Sequence, residues 1–323
     1  MIPIYVHGWG AVSPVGWGMA SLMSSLAQDQ RPASTQIQRP DGFPISVHKV
    51  PIRNPRPPFL ALPRLRRASP TTHFIVGSGL EALGLTDRPT ESKRVGVICS
   101  VMGGSVIYSE RFYGEVLAEP RTASPLLFPE TVYNAPASHL SSVLGSTERN
   151  YTVVADQTGF LDGLSTAATW LNEGLVESCV IIGGEEVGWA TAEAGRLISP
   201  FPIAEGAGAV LLSTQPSSVR LKLITRAHPF VRSKRRSDVW SDMVNELLSA
   251  GASVPDWLPP QKPGSCLSEG SGNLATFLGD GLAAGGAWAT AAAVASVARG
   301  RNSAAVGIFG SNFQARGAIF VRE

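Results

Sequence analysis

The chain has 323 residues, 44% of them hydrophobic and 16% charged, and its formal net charge is +2. This composition supports a large buried core and excludes an intrinsically disordered chain. The three cysteines, Cys99, Cys179 and Cys266, are too few and too scattered for a disulfide framework, and no Cys-x-x-Cys pair indicates a metal site. We therefore expect a compact α/β protein of the cytoplasm that carries neither a metal nor another cofactor.

The first half of the chain alternates predicted strands with predicted helices. In chain order these are a strand near 2–7, a helix near 17–28, a Pro- and Arg-rich irregular stretch at 31–70, a helix at 71–84, a strand at 94–100, helices near 104–117 and 133–144, a strand at 151–154, a helix from 159, and a buried strand at 178–186. This alternation predicts a layered α/β fold.

The second half repeats this order over a shorter length. Its predicted elements are adjacent strands at 206–213 and 219–227, an amphipathic helix at 237–251, a helix at 282–298, and two terminal strands. The uncharged run that contains the last helix raises the question of a membrane span. Because Ala and Gly dominate this run and partition weakly into lipid, we predict a buried helix and no membrane span. The first basic residue is Arg31, so no signal peptide is predicted.

Two segments are strongly basic. Residues 31–67 carry eight Lys or Arg against the single acid Asp41, and residues 219–236 carry seven and no acid. Basic surface attracts acidic partners, although a solvated loop surface explains either segment equally well. Because no nucleic-acid-binding motif accompanies them, we predict no nucleic-acid partner.

The stretch VVADQTGFLDGL, residues 153–164, marks a strand-to-helix elbow. Such elbows often carry a nucleophile, because the N-terminus of the helix stabilises developing negative charge. Here the elbow holds Gln157, whose amide is neither a nucleophile nor a base. The elbow is therefore predicted to be chemically silent.

Several segments together resemble the β-ketoacyl synthases of the thiolase fold. They occur in the family's order and are GWGAVSPVGWG (8–18), VYNAPASHLSSVLG (132–145), CVIIGGEEV (179–187), AEGAGAVLLS (204–213) and LGDGLAAGGAWATAAAV (278–294). The resemblance implies a layered αβαβα fold with a truncated second half. The implied halves are residues 1–218 and 219–323, joined in one compact unit.

The family's chemistry uses a cysteine at the elbow as the acyl carrier and two histidines that stabilise an enolate. Aligned through the flanking segments, Gln157 stands in the place of the cysteine, and Glu269 and Asp280 stand in the places of the histidines. A carboxylate repels the enolate that an imidazole donor stabilises. The resemblance therefore implies no catalytic residue, and the chain is expected not to be an enzyme by itself.

The pattern DQTGFLDGL (156–164) is similar to the chain length factors of type II polyketide synthases, and the short length resembles partners of aryl-polyene-type or fatty-acid-like systems. This resemblance implies a heterodimer with an active ketosynthase subunit, an acyl carrier protein as a further partner, and a dimer interface along 151–155. It also implies a tunnel at that interface whose length is set by bulky side chains. The candidates are Phe128, Tyr133 and Phe160.

Two other functions stay open. One is a malonyl-carrier decarboxylase, because some ketosynthase-like modules with Gln at the elbow decarboxylate without condensing; those keep the histidines. The other is a stand-alone binding protein on the thiolase scaffold. Among the remaining residues, Cys99 and Cys179 are predicted to be inert in the core, and His139 a satisfied interior polar group. Gly183 and Gly184 are interpreted as positions of close backbone packing.

Overall fold

The computed structural model describes residues 2–231, 233–252 and 274–323. Within these ranges the strands are β1 (Ile4–Ser13), β2 (Gly16–Trp17), β3 (Thr35–Gln38), β4 (Pro44–His48), β5 (Gly96–Val101), β6 (Asn150–Val154), β7 (Ser178–Glu185), β8 (Ile203–Ala204), β9 (Gly206–Ser213), β10 (Val219–Ile224), β11 (His228–Pro229), β12 (Ser303–Phe309) and β13 (Gln314–Arg322). The α-helices are α1 (Met19–Ala27), α2 (Pro70–Ala82), α3 (Val106–Ala118), α4 (Phe128–Thr131), α5 (Ala135–Leu144), α6 (Gly159–Asn172), α7 (Trp189–Ile198), α8 (Arg236–Ser249), α9 (Leu274–Leu278) and α10 (Ala283–Ala298). Two short 3₁₀ turns lie at Pro58–Ala61 and Pro63–Leu65.

The main sheet joins both halves of the chain. Its strand order is β11-β13-β10-β1-β9-β7-β5-β6, and β12 pairs with the other side of β13. The strands β5, β6 and β7 run parallel, whereas β1, β9 and β10 are antiparallel to their neighbours. The strand β6, which leads into the elbow, is the last strand of this order.

The helices complete a five-layer arrangement. The helices α2 and α5 pack on the outer face of the first half, and α8 packs on β12 and β13 at the outer face of the second. Between the two halves lie α6 and α10, which contact strands of both. This is the layered αβαβα architecture implied by the resemblance, with a second half built from few elements.

The helix α10 is the centre of the core. Its small side chains let backbones approach closely, since a Cβ on Gly208 of β9 would lie 2.7 Å from the carbonyl carbon of Ala287. The buried Trp288 donates its indole N–H to the carbonyls of Val12 and Ala207, at 3.0 and 2.9 Å. The predicted buried helix is confirmed. No helix in the described ranges is long and apolar enough to cross a membrane.

Two predictions about secondary structure were wrong. The stretch 31–70 is not wholly irregular, because β3 and β4 form a hairpin whose turn is closed by Asp41, which accepts the Phe43 N–H at 3.1 Å. The half-buried Ile37 and Ile45 pack this hairpin against a small cluster around Val47. The strands β9 and β10 are also not neighbours, because β1 lies between them.

Candidate functional site

The amide of Gln157 is engaged at both ends. Its Oε1 accepts the backbone N–H of Ser311 at 2.9 Å, and its Nε2 lies 3.5 Å from Oδ2 of Asp280. The second carboxylate oxygen of Asp280 accepts the Leu282 N–H at 2.8 Å. The structure therefore brings together two of the three residues that the family resemblance aligned with reactive positions. The third, Glu269, lies outside the described residues.

The neighbouring Asp156 anchors the elbow to the loop between β12 and β13. It is 1% exposed, and its Oδ1 accepts the N–H and the hydroxyl of Thr158. Its Oδ2 accepts the N–H groups of Asn312 and Phe313, both at 3.0 Å. Sequence reasoning missed this role. The signal was an Asp two residues before a Thr at the start of a helix, a pattern typical of a local side-chain cap.

The same loop is held from its other side by Arg236. The guanidinium donates to the carbonyls of Gly310 and Ser311, at 2.6 and 2.8 Å. It also lies over the rings of Phe230 and Phe309, at 4.2 and 4.8 Å from their centroids. The loop at 310–313 is thus fixed between α8 and the elbow.

The Leu-Asp pair of the elbow helix has two separate roles. Leu161 is fully buried in the central core. Asp162 faces β13, where it pairs with Arg316 and accepts the side-chain amide of Gln314 at 2.9 Å. The pair therefore fixes the orientation of α6 between the two halves.

The tunnel candidates fall into two environments. Phe128 and Tyr133 are 55% and 47% exposed, and the Phe128 ring lies 5.6 Å from the ring of Phe112 on α3. Phe160, by contrast, is fully buried, and a Cβ on Gly183 would lie 3.2 Å from its ring. The structure therefore groups Phe128 with Tyr133 at the surface and places Phe160 in the core.

An apolar surface surrounds the first two. Although α3 has 13 residues, none of them is buried. Large apolar side chains on α3 and on the segment that follows are exposed, and these are Tyr113, Leu117 and Leu126 together with Phe128 and Tyr133. Tyr151 and Val154 on β6 are also about half exposed, at 50% and 54%. An exposed strand edge with apolar side chains is typical of a surface that another chain covers.

Buried carboxylates form a further feature that sequence reasoning missed. Glu185 accepts the N–H groups of Met102 and Gly103, while Glu186 accepts those of Thr71 and Ile107, at 3.0 and 2.7 Å. Burial raises the pKa of Glu185 to about 8 and that of Glu186 to about 7. These two side chains hold the start of α3 against the end of β7.

A third carboxylate lies beside this pair. Glu205 accepts the ammonium of Lys49 at 2.7 Å and the N–H of Val187 at 3.2 Å. It thereby ties the segment after β4 to the end of β7. The GGEE sequence of the strand is the only signal that pointed to this region.

The remaining sequence interpretations are largely confirmed. Cys99 and Cys179 are fully buried, and burial raises the pKa of each thiol strongly; Cys266 lies outside the described residues. A Cβ on Gly184 would lie 2.6 Å from Ile75, so this glycine serves close packing. His139 is only half satisfied, since Nε2 pairs with Glu130 at 2.9 Å and the buried Nδ1 has no hydrogen-bond partner among the described residues.

Comparisons with known proteins match this chain by structure alone. No protein-family model matches it, and no curated protein matches its sequence. The solved ishigamide ketosynthase/chain length factor is 18% identical over 99% of both chains, with a TM-score of 0.80. A β-ketoacyl synthase from Burkholderia phymatum STM815 is 13% identical over the full length of both, with a TM-score of 0.77.

A third solved structure is the ketosynthase ApeO in complex with its chain length factor ApeC from Xenorhabdus doucetiae. It is 13% identical over 99% of this chain and 98% of the other, with a TM-score of 0.74. Each likeness extends over essentially the whole chain, from β1 to β13. The chain therefore has the thiolase fold that the solved ketosynthase and chain length factor structures share.

Proposed function

We propose that this chain is the non-catalytic subunit of a ketosynthase pair, a partner of the chain length factor type. The observation that carries the proposal is the state of the elbow. Gln157, which the family resemblance aligns with the nucleophile, has its amide bound at both ends, to Ser311 and toward Asp280. An amide cannot take up an acyl group as a thioester, and a carboxylate does not stabilise an enolate as an imidazole does. Condensation is then the task of an active β-ketoacyl synthase subunit.

The exposed apolar surface supports a partner subunit of the same fold. The strand β6 lies at the end of the main sheet with Tyr151 and Val154 half exposed. A second strand added to this edge would bury both side chains and satisfy the open backbone groups. The helix α3, none of whose residues is buried, exposes further apolar area. The exposed edge of β6 fits the interface along 151–155 that the family resemblance implies.

Within such a pair, the proposed tunnel is lined by this chain on one side. Phe128 and Tyr133 are available to a partner because they lie at the surface. An acyl chain growing from the active subunit would meet these rings at the interface. The substrates are then acyl groups carried by an acyl carrier protein, and the product length depends on both subunits.

Co-expression with an active type II ketosynthase tests the proposal. We expect the two chains to elute together in size-exclusion chromatography, and condensation to require the partner's cysteine. Tyr151→Lys with Val154→Lys should prevent pairing, because two charges would be placed on the edge of β6. The matched control is Leu248→Lys, which changes a residue that is 44% exposed on α8, a helix of the outer layer in the second half.

Two outcomes would favour the other functions. If the chain alone converts malonyl-carrier protein into acetyl-carrier protein, it is a decarboxylase. If it stays monomeric in the presence of every ketosynthase offered, it is a stand-alone binding protein. Intact-protein mass spectrometry adds a further check, because acyl loading on this chain would contradict the non-catalytic role.

A further inference from the structure

The segment that carries the two exposed tunnel candidates has almost no core of its own. We call residues 119–134, which connect α3 to α5, the ring segment, after the rings of Phe128 and Tyr133. The structure describes all of these residues, and among them Leu127 alone is buried. Buried apolar area is what holds most segments of a protein in place. The ring segment therefore depends on other contacts for a fixed position.

The two rings rest on α3 and on the turn before it. The centre of the Phe128 ring lies 5.6 Å from that of the Phe112 ring. The Tyr133 ring covers the backbone of Gly104, where a Cβ would lie only 2.8 Å from Cδ1 of the tyrosine. Both rings are about half exposed, so each loses little buried area when it moves away from its support.

One hydrogen-bonded pair ties the ring segment to α5. The carboxylate of Glu130 in α4 accepts from Nε2 of His139, at 2.9 and 3.1 Å for its two oxygens. In the part of the chain that the structure describes, no other side chain of the ring segment bonds a residue outside it. A backbone N–H, that of Ser124, bonds Glu115 of α3 at 2.9 Å. The paired side chains are 12% and 9% exposed, so water weakens their hydrogen bond little.

His139 belongs to the fixed part of the fold. It is buried on α5, next to the fully buried Leu140. A Cβ on Gly79 of α2 would lie 2.8 Å from the Leu140 side chain, so the two helices pack closely. Because closely packed helices do not shift freely, the position of the imidazole is set by the core.

The fold retains this imidazole at a cost. Its buried Nδ1 has no hydrogen-bond partner among the described residues, and an unsatisfied buried polar atom lowers stability. An apolar ring at position 139 would avoid this cost. Since the bond to Glu130 is the one hydrogen bond that the described residues give the imidazole, holding Glu130 accounts for its presence.

We propose that the Glu130–His139 pair positions the two rings of the ring segment. Glu130 follows Phe128 by two residues in the single turn of α4 and precedes Tyr133 by three. Thr131 closes this turn by donating its hydroxyl to the Phe128 carbonyl at 2.8 Å. A displacement of the Glu130 carboxylate therefore displaces both rings. That the rings set product length rests on the proposed function, whereas their attachment to α5 rests on this pair.

Hydrogen–deuterium exchange of the free chain tests the attachment. Glu130→Ala removes the carboxylate, and His139→Phe removes the imidazole while it keeps a ring in the core. We expect the amides of residues 126–134 to exchange about tenfold faster in both variants, because the ring segment has lost a buried hydrogen bond. Amides of α2 and β5 should keep their exchange rates. Glu130→Gln should retain most of the protection, because its amide oxygen still accepts from Nε2.

A second histidine–glutamate pair provides the matched control. In the second half of the chain, Nε2 of the buried His228 lies 2.8 Å from the carboxylate of Glu246 on α8. Glu246→Ala breaks a pair of the same chemistry outside the ring segment and should leave exchange of residues 126–134 unchanged. Circular dichroism verifies that all variants are folded.

Product analysis with the ketosynthase tests the positioning. Each variant is reconstituted with an active ketosynthase, and the products are compared by mass spectrometry. We expect Glu130→Ala and His139→Phe to give a broader distribution that extends to longer products. Glu130→Gln and Glu246→Ala should give the distribution of the unmodified chain. Rescue by Glu130→Gln in both assays is expected of a positioning pair.

Three results would overturn the inference. The first is unchanged exchange of residues 126–134 in Glu130→Ala and His139→Phe, and the second is faster exchange there with unchanged products in an active pair. The third is faster exchange along the whole chain, because the pair would then support the fold and not the rings. Failure of the unmodified chain to pair with the ketosynthase contradicts the proposed function alone, since exchange of the free chain still decides whether the pair holds the rings.

Discussion

Gln157 and Asp280 lie 123 residues apart in the chain, and the structure places the amide nitrogen of one 3.5 Å from a carboxylate oxygen of the other. Gln157 lies in the elbow between β6 and α6, and Asp280 precedes the central helix α10. Because Oε1 of Gln157 also accepts the Ser311 N–H, neither end of the amide is free. Gln157 is thus a structural link between two segments.

The first prediction concerns restoring the nucleophile. Gln157→Cys should not yield a condensing enzyme, because the new thiol would face the carboxylate of Asp280 instead of an imidazole. A nearby negative charge raises the pKa of a thiol and so lowers its reactivity. Acyl loading measured by intact-protein mass spectrometry, together with product analysis, checks this expectation.

A double variant provides the control for that experiment. Gln157→Cys with Asp280→His supplies both a thiol and an imidazole and should load acyl groups more readily than the single variant. Rapid condensation by Gln157→Cys alone would show that the alignment of Asp280 with a family histidine is wrong.

The family resemblance aligned Gln157 and Asp280 with two reactive positions, and the structure places these two side chains 3.5 Å apart. The hairpin of β3 and β4 was missed because prolines and arginines around it obscure its short alternation of apolar and polar residues. Only the half-buried Ile37 and Ile45 carry the strand pattern, and their burial depends on packing against Val47. Packing against the rest of the protein, and not the local sequence pattern, determines this hairpin.

The contacts of the loop at 310–313 were also beyond sequence reasoning. Asp156 and Arg236 reach this loop from segments far away in the chain, so no local spacing indicates the contact. The burial of aromatic residues was also beyond sequence reasoning. Phe128 and Phe160 are the same residue type, so the sequence does not distinguish an exposed ring from a buried one. Only the packing shows that one is exposed and the other fully buried.

The second prediction concerns the clamp on this loop. Arg236→Ala removes two hydrogen bonds to the carbonyls of Gly310 and Ser311 and two cation–π contacts. The loop should then open more often, so the amides of Asn312 and Phe313 should exchange hydrogen faster. Hydrogen–deuterium exchange with mass spectrometry measures this directly.

Its control is the adjacent residue. Arg235→Ala removes the same charge from an exposed position and should leave exchange of the loop unchanged. Equal protection of the loop in both variants would mean that Asp156 and Gln157 hold it without help from the guanidinium.

The third prediction is a pH dependence of stability. Burial raises the pKa of Glu185 to about 8, above its ordinary value of 4.5. Below pH 4.5 the carboxyl is protonated in both the folded and the unfolded state. As pH rises from 4.5 to about 8, the unfolded state loses this proton first, so the free energy of unfolding falls. Chemical denaturation across this pH range should show the decline.

Glu185→Gln separates this effect from other titrations. The variant lacks the ionisable group and should lose less stability over the same range than the unmodified chain. The exposed Glu173→Gln should retain the full decline. Parallel curves for Glu185→Gln and the unmodified chain would contradict the assignment to this carboxyl.

The fourth prediction separates core packing from tunnel function. Phe160 is fully buried beside Gly183 and α10, so Phe160→Ala should lower the free energy of unfolding by about 3–5 kcal/mol. Phe128→Ala changes a ring that is 55% exposed and should lower it far less. Denaturant titration of the two variants gives the comparison. Similar losses for both would mean that Phe128 also belongs to the core.

The last prediction concerns product length. Tyr133 and Phe128 are exposed on this chain, and the proposed partner would cover them beside the growing acyl chain. A packed aromatic ring blocks extension sterically, and its removal leaves a cavity that is costly to collapse. Tyr133→Ala and Phe128→Ala, each reconstituted with the ketosynthase, should therefore give longer products by mass spectrometry. Leu248→Ala on α8 serves as the control, because this exposed side chain lies in the outer layer and should not change product length. If both aromatic variants pair with the ketosynthase and give an unchanged product distribution, these rings do not limit the tunnel. The chain would then stabilise its partner without setting the length of the product.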